Sequence, residues 1–104
     1  MITLLKSKIH KIEVTEARLE YNGSITIPSL KMEKANIQEY EQVHVHNATN
    51  GARIITYAIA GEEGQEGVFI NGAASHLFKK GDIVHILCYR QVIENESLKE
   101  PIII

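Results

Sequence analysis

The sequence is divided into short runs of β-branched and other apolar residues, with turn-forming residues roughly every 8–12 positions. Alternation is clean from Gln42 to Asn47, and Asn50-Gly51 then predicts a hairpin with Arg53 to Ala60. The other predicted strands are Ile2 to Leu5, Ile9 to Val14, Ser24 to Ile27, Val68 to Ile70, Ile83 to Val92 as the longest, and a final Ile102 to Ile104. Six or seven short strands favour a small barrel or sandwich.

Helix is expected in three short places only. Ser29 to Ala35 follows Pro28 and predicts about two turns, with Ser29 as the N-cap. Single turns are predicted before Phe78 and from Glu94 to Lys99. The terminal isoleucines are expected to pack on their own barrel or on a neighbouring subunit, because an exposed apolar strand invites association.

Composition excludes several classes of protein. The 104 residues suit one domain, and 44% hydrophobic with 23% charged residues is ordinary for a globular chain. The net charge of -2 includes no basic patch for nucleic acid, and no apolar run reaches the length of a membrane span. The single cysteine, Cys88, cannot form an internal disulfide and is expected to be a small buried side chain. A cytoplasmic location fits these features.

The triplet Asn22-Gly23-Ser24 separates two apolar runs. Asn and Gly tolerate positive φ, so the pair predicts a tight turn that holds the Ser24 hydroxyl on a strained backbone, facing the Gly23 carbonyl. That arrangement suits an N-to-O acyl shift, followed by β-elimination that leaves an N-terminal pyruvoyl group. On spacing alone an ordinary hairpin turn is the commoner explanation.

Other motifs accompany the triplet in a fixed order. They are Lys8-Ile9-His10, the stretch from Asn50 to Ile59 with its Arg-x-x-Thr-Tyr, Asn71-Gly72-Ala73-Ala74, and Gly81-Asp82-Ile83-Val84. As a set they resemble the aspartate 1-decarboxylase family, pyruvoyl-dependent enzymes that make β-alanine for pantothenate and coenzyme A synthesis. The resemblance runs to about Val92, and the part of the chain beyond it looks short for the family.

The resemblance implies a mainly β fold, a small six-stranded double-psi β-barrel with a few short helices. It implies one domain, residues 1–104, that cleaves itself between Gly23 and Ser24 into a β chain 1–23 and an α chain 24–104. It also implies a homotetramer with sites between subunits. Whether a helper protein assists maturation is left open.

The resemblance also implies roles for individual residues. Ser24 becomes the pyruvoyl group, which forms a Schiff base with the substrate L-aspartate, and Tyr57 donates the proton. No pyridoxal phosphate and no metal are expected. The implied substrate-binding residues are Lys8, Arg53, Thr56, Asn71, Gly72, Ala73 and Ala74.

The chemistry of aspartate agrees with two of these roles. Its two carboxylates call for cations, and Arg53 can grip one with a bidentate fork while Lys8 neutralises the other. In isolation each would be taken for a surface cation. Strand alternation puts Arg53 and Thr56 on opposite faces, unless a twist, a bulge or a subunit boundary brings them together.

The histidines and the competing functions remain open. His44 and His46 have a spacing that can bind metal, but without a visible third ligand, cross-strand packing or exposure to solvent is favoured.

A catalytically silent double-psi barrel that serves binding or assembly is the alternative function. A pyruvoyl decarboxylase for another amino acid is disfavoured by the paired cations.

Overall fold

The computed structural model describes residues 1–94 and 98–104, and its secondary structure is mainly strand. The elements are β1 (Ile2–Arg18), β2 (Ser24–Ile27), α1 (Ser29–Ala35), β3 (Gln42–Asn47), β4 (Arg53–Ala60), β5 (Val68–Asn71), a 3₁₀ turn (Gly72–His76), β6 (Ile83–Val92) and β7 (Ile102–Ile103). Half of the helical turn expected from Glu94 to Lys99, residues 95–97, lies outside the described residues.

Six of the strands close into a barrel. Their order is β5-β2-β4-β3-β6-β1, and the ring closes because β1 also pairs with β5. The β1–β5 and β2–β4 pairs are parallel, whereas β1–β6, β3–β4, β3–β6 and β2–β5 are antiparallel. The expected six-stranded double-psi barrel is confirmed, with β7 as one additional strand.

Strand β1 differs most from the prediction. It is one continuous strand of 17 residues, longer than β6, where two short strands and an extended continuation to Tyr21 were expected. Its register against β6 shifts between Leu5 and Ser7 and again between Ile9 and Ile12, where Lys11 has a φ of 56°. Such bulges bend a strand without ending it. They also interrupt the alternation of side chains, which explains why the sequence suggested a break.

Strand β7 lies on the side of β1 away from β6. Ile102 and Ile103 pair in parallel with Ser7 and Lys8. The Ile104 amide donates to the Lys8 carbonyl at 3.0 Å, and Ile104 packs against the core. Packing on their own barrel, one of the two expected alternatives, therefore holds for the Ile104 side chain, whereas the side chains of Ile102 and Ile103 are exposed.

The N-cap of helix α1 lies one residue earlier than expected. Pro28, not Ser29, is the N-cap residue, because the amides of Lys31 and Met32 both donate to the Pro28 carbonyl. The helix buries Met32 and Ala35. No helix in the described part of the chain is long and apolar enough to cross a membrane.

The barrel interior is filled by aliphatic side chains with one aromatic residue. Cys88 belongs to this core and is fully buried, as expected, with its Sγ 2.8 Å from Ser7 Oγ. Burial raises the pKa of this thiol. The largest fully buried apolar side chains are Phe78, Ile9, Ile25, Ile27, Ile70, Ile86, Val14, Val43, Val45, Val68 and Val84.

Asn47 and Asp82 form a buried polar link at the end of β3. Asn47 Nδ2 donates to Asp82 Oδ2 at 2.8 Å, and the Lys79 amide donates to the same oxygen at 2.9 Å. The Lys79 amide and then Asn47 lower the pKa of Asp82, against the opposing effect of burial. The ionised carboxylate is therefore the form that the fold stabilises.

Asp82→Asn is expected to reduce the loss of free energy of unfolding that occurs as the pH falls below neutrality. The pKa of Asp82 is lower in the folded chain than in the unfolded one, so its contribution is present above the unfolded pKa and is lost as pH falls through the folded pKa. Urea unfolding from pH 7 down to pH 3 (about one unit below an ordinary Asp) measures the slope. An unchanged slope in the variant would show that Asp82 is not a source of acid sensitivity.

Candidate functional site

The turn before Ser24 is not where the sequence placed it. The Tyr21 amide donates to the Arg18 carbonyl at 3.4 Å, so the turn is centred on residues 19 and 20. Neither Asn22 nor Gly23 has a positive φ. The prediction of a tight, strained Asn22-Gly23 turn is therefore wrong, and stored backbone strain at Gly23 does not explain the site.

A contact with Gly72 holds the Gly23 segment instead. Gly72 follows β5 directly and has a φ of 77°. A Cβ atom on Gly72 would lie 2.8 Å from both Cα and N of Gly23, and 3.0 Å from the Tyr21 carbonyl oxygen. Only a residue without a side chain allows this approach of two backbones.

Ser24 begins β2 and is buried, with 6% of its surface exposed. It pairs with Asn71 across the antiparallel β2–β5 ladder. Asn71 Nδ2 donates to Ser24 Oγ at 2.9 Å and to Thr26 Oγ1 at 3.0 Å. One carboxamide therefore binds two neighbouring hydroxyl groups on the same face of β2.

Arg18 completes this hydrogen-bond network. Its Nε donates to Asn71 Oδ1 at 3.0 Å. Its guanidinium carbon lies 4.1 Å from the centre of the Tyr21 ring and 4.6 Å from that of Phe69. Cation–π contacts of this kind hold the planar group in place.

These residues line one open cleft of about 1010 Å³. Ser24, Thr26, Asn71 and Arg18 contribute polar groups, and Tyr57 of β4 also lines it. The acidic loop from Gly61 to Gly67 borders the cleft. Gln65 ties this loop to β2, because its Nε2 donates to the Thr26 carbonyl at 3.1 Å and to the Gly67 carbonyl at 2.7 Å.

The structure brings together only some of the expected site residues. Ser24, Tyr57 and Asn71 share the cleft, whereas Thr56, Ala73 and Ala74 do not line it. Thr56 follows the alternation of β4 and lies on the opposite face from Tyr57. Ala74 packs against the core.

Lys8 and Arg53 lie on a different surface, here called the basic face: Lys8, His10, His46, Arg53 and His85. Neither cation lines the cleft of its own chain. Arg53 pairs with His46 across β3 and β4, and His46 pairs with His85 across β3 and β6. The His10 and His85 rings stack with centres 4.4 Å apart.

The basic face is electrostatically crowded. Burial lowers the pKa of His46, and the charges of Arg53, His44 and Lys8 lower it further. The pKa of His85 is lowered as well, first by burial and then by the charges of His10, Lys8, His46 and Lys11. Like charges gathered in one place favour the neutral imidazoles.

The role of His44 is packing, as favoured from the sequence. Its ring meets Tyr89 edge-on, with centres 4.9 Å apart. Among residues 1–94 and 98–104, no group of three or more His, Cys, Asp or Glu side chains is arranged to hold a metal ion.

Sequence reasoning missed Arg18, Thr26 and Gln65. Thr26 carried a signal, since it lies two residues beyond Ser24 and alternation puts both hydroxyls on one face. Arg18 becomes recognisable only through the pairing of β1 with β5, in which Arg18 and Asn71 are partners. Gln65 has no comparable signal, because its contacts depend on how the loop folds back.

The candidate site is therefore a buried serine that lines an open cleft of a closed six-stranded barrel. The whole chain, residues 1–104, matches the aspartate decarboxylase family. The chain belongs to this family and is an enzyme of it, as the sequence motifs indicated.

Individual relatives agree with this assignment. An aspartate 1-decarboxylase of Alkalilimnicola ehrlichii is 47% identical over 95 residues, which cover 91% of this chain and 75% of the relative. One from Clostridium botulinum is 49% identical over 98 residues, covering 94% and 77%. One from Clostridium novyi is 46% identical over 104 residues, covering 99% and 85%.

Gly72→Ala is expected to destabilise the protein more than Gly64→Ala. Both glycines have positive φ, 77° and 88°, so each alanine costs about 1–2 kcal/mol in backbone conformation. A Cβ on Gly64 meets nothing within 4 Å, whereas one on Gly72 meets Gly23. Overpacking should add about 1–3 kcal/mol at Gly72. Urea unfolding of both variants measures the difference, and equal losses would contradict the close contact.

Proposed function

We propose that this protein cleaves itself between Gly23 and Ser24 and then decarboxylates L-aspartate to β-alanine and carbon dioxide. The observation that carries the proposal is the environment of Ser24. Its hydroxyl is buried, accepts a hydrogen bond from Asn71, and opens into the cleft that Tyr57 also lines. Family membership favours this enzyme over a silent barrel that serves only binding or assembly.

The proposed cleavage uses the Ser24 hydroxyl as nucleophile. Oγ attacks the Gly23 carbonyl carbon, the C–N bond breaks, and an ester replaces the amide while the Ser24 nitrogen takes up the proton. Loss of the Cα proton and breakage of the Cβ–Oγ bond then release Gly23 as a carboxylate. Water then hydrolyses the dehydroalanine that remains at position 24. Its nitrogen leaves as ammonia, and residue 24 becomes the pyruvoyl group.

The surroundings of residue 24 fit this modification. Asn71 Nδ2 donates to Oγ, so it can stabilise negative charge that grows there as the hydroxyl loses its proton. The close approach of Gly72 to Gly23 holds the peptide to be cut against the end of β5. Chain segments on both sides of the bond are thus fixed before any reaction occurs.

Decarboxylation of an amino acid leaves a carbanion, and a pyruvoyl group supplies the electron sink that this chemistry needs. In our proposal Tyr57 delivers the proton to the substrate Cα after carbon dioxide has left. Asn71 keeps its amide directed at position 24. Thr56, Gly72, Ala73 and Ala74 are proposed as substrate contacts on the resemblance alone.

Recognition of the two carboxylates is proposed to require a second copy of the chain. Arg53 lies four residues before Tyr57 on β4, a separation of about 13 Å along an extended strand. Lys8 and Arg53 belong to the basic face and not to the cleft of their own chain. We therefore propose that a neighbouring subunit supplies them, within a homotetramer.

Wider aspects of the proposal follow from the family resemblance. The β-alanine product would serve pantothenate and coenzyme A synthesis. A cytoplasmic location stays a prediction. Whether a helper protein assists maturation is still an open question.

Denaturing mass spectrometry tests the cleavage. Protein incubated until the mass spectrum stops changing should contain a fragment of residues 1–23 and a fragment of residues 24–104 that carries pyruvoyl in place of serine. Ser24→Ala should remain a single species, because it lacks the nucleophile. Cleavage of the Ser24→Ala protein at the same bond would rule out the mechanism.

Tyr57→Phe separates maturation from turnover. The variant keeps the ring but lacks the phenolic proton, so the two fragments should form while β-alanine production falls by about 10²–10⁴-fold. Product is followed by amino-acid analysis of the cleaved protein supplied with L-aspartate. Normal turnover by the cleaved variant would remove Tyr57 from the role of proton donor.

A further inference from the structure

Arg18 is a cleft residue to which neither the motifs nor the family resemblance gives a role. It is partly buried at the end of β1, and Asn71 is its partner in the parallel β1–β5 ladder. Its side chain bonds Asn71 and lies between Tyr21 and Phe69. These contacts connect it to residues on both sides of the Gly23–Ser24 bond.

The chemistry of the Asn71 carboxamide makes this contact directional. The group can present either its oxygen or its nitrogen to Ser24 and Thr26, because a hydroxyl donates as readily as it accepts. Arg18 Nε can only donate. The carboxamide atom that faces it at 3.0 Å must therefore be the acceptor, Oδ1, which directs Nδ2 towards the two hydroxyls.

The orientation matters for the reactivity of Ser24. With Nδ2 facing Oγ, the amide donates to the attacking atom and can stabilise the negative charge that develops on it. With the carboxamide reversed, the Ser24 hydroxyl would donate its proton to Oδ1, and the developing charge would face an acceptor. The first arrangement stabilises the alkoxide form of the nucleophile, whereas the second stabilises the neutral hydroxyl.

Stacking keeps Arg18 itself in place. Tyr21 and Phe69 contact the guanidinium at 4.1 Å and 4.6 Å. The planar group is therefore held while Nε faces Asn71, which lowers the entropy cost of keeping the hydrogen bond. Tyr21 belongs to the segment before the proposed cut, and Phe69 belongs to β5 after it.

We infer that Arg18 is a positioning residue for self-cleavage, acting through Asn71 to present a hydrogen-bond donor to the Ser24 hydroxyl. The inference rests on the proposed cleavage after Gly23. It assigns Arg18 no contact with the reacting atoms. Its effect should therefore depend on a hydrogen-bond donor at position 18 and not on the stability of the barrel.

The test compares rates of self-cleavage in purified protein, measured by denaturing mass spectrometry over time. Arg18→Met keeps an unbranched stem and removes the donor, and should slow cleavage by about tenfold, the equivalent of one hydrogen bond. Arg18→Lys restores a donor without the stacked plane and should recover most of the rate. A structural role alone would not make lysine the rescuing residue.

Two control variants separate the alternatives. Lys34→Met removes one positive charge from the exposed surface of α1, and Val84→Ala destabilises the core at a site outside the cleft. Both should cleave at the wild-type rate. Thermal unfolding of all the variants shows whether the rate follows stability or follows the presence of a donor at position 18.

The outcomes are distinct. A slow Arg18→Met protein beside fast Arg18→Lys and Val84→Ala proteins supports the inference. Wild-type rates in Arg18→Met, equal slowing in Arg18→Lys, or a rate that follows the unfolding temperature across the series would each overturn it, and cleavage of the wild type would still stand. If the wild-type protein never cleaves, the proposed function fails, and the inference fails with it.

Discussion

The parallel pairing between the end of β1 and β5 is the contact on which the site depends. It closes the barrel, and it makes Arg18 and Asn71 neighbours although 53 positions separate them in sequence. Because β5 also pairs with β2, the same strand presents Asn71 to Ser24. The first residue after β5, Gly72, then meets Gly23. One ladder thus assembles the surroundings of the serine.

Elements with regular alternation were predictable from sequence. The bounds of β3 follow from its clean alternation, and those of β6 from an apolar run that follows a turn. The hairpin that joins β3 to β4 follows from Asn50-Gly51, where Gly51 has a φ of 81°. The continuity of β1 was not predictable, because its bulges interrupt the alternation. The Asn22-Gly23 turn failed for a different reason. Local preference permitted it, but the contact with Gly72 imposes another backbone path.

The candidate site shows the same division. Ser24, Tyr57 and Asn71 were found through motifs, and the structure gathers them in one cleft. Alternation correctly separated Arg53 from Thr56. Arg18 could not be identified as a site residue from sequence, because it reaches the site through pairing with Asn71 on a strand far along the chain. The crowding of the basic face was equally hidden, because it depends on the register of β3 against β6.

The three partners of β1 have a consequence for the proposed cut chain. Residues 2–13 are bonded to β6, residues 7 and 8 to β7, and residues 14–18 to β5. Breaking the peptide link after Gly23 would divide the polypeptide but would leave all three of these ladders intact. The product would be a barrel made of two fragments, in which the fragment of residues 1–23 stays bound through β1. Under native conditions the two fragments would behave as one folded unit, and they would separate only on unfolding.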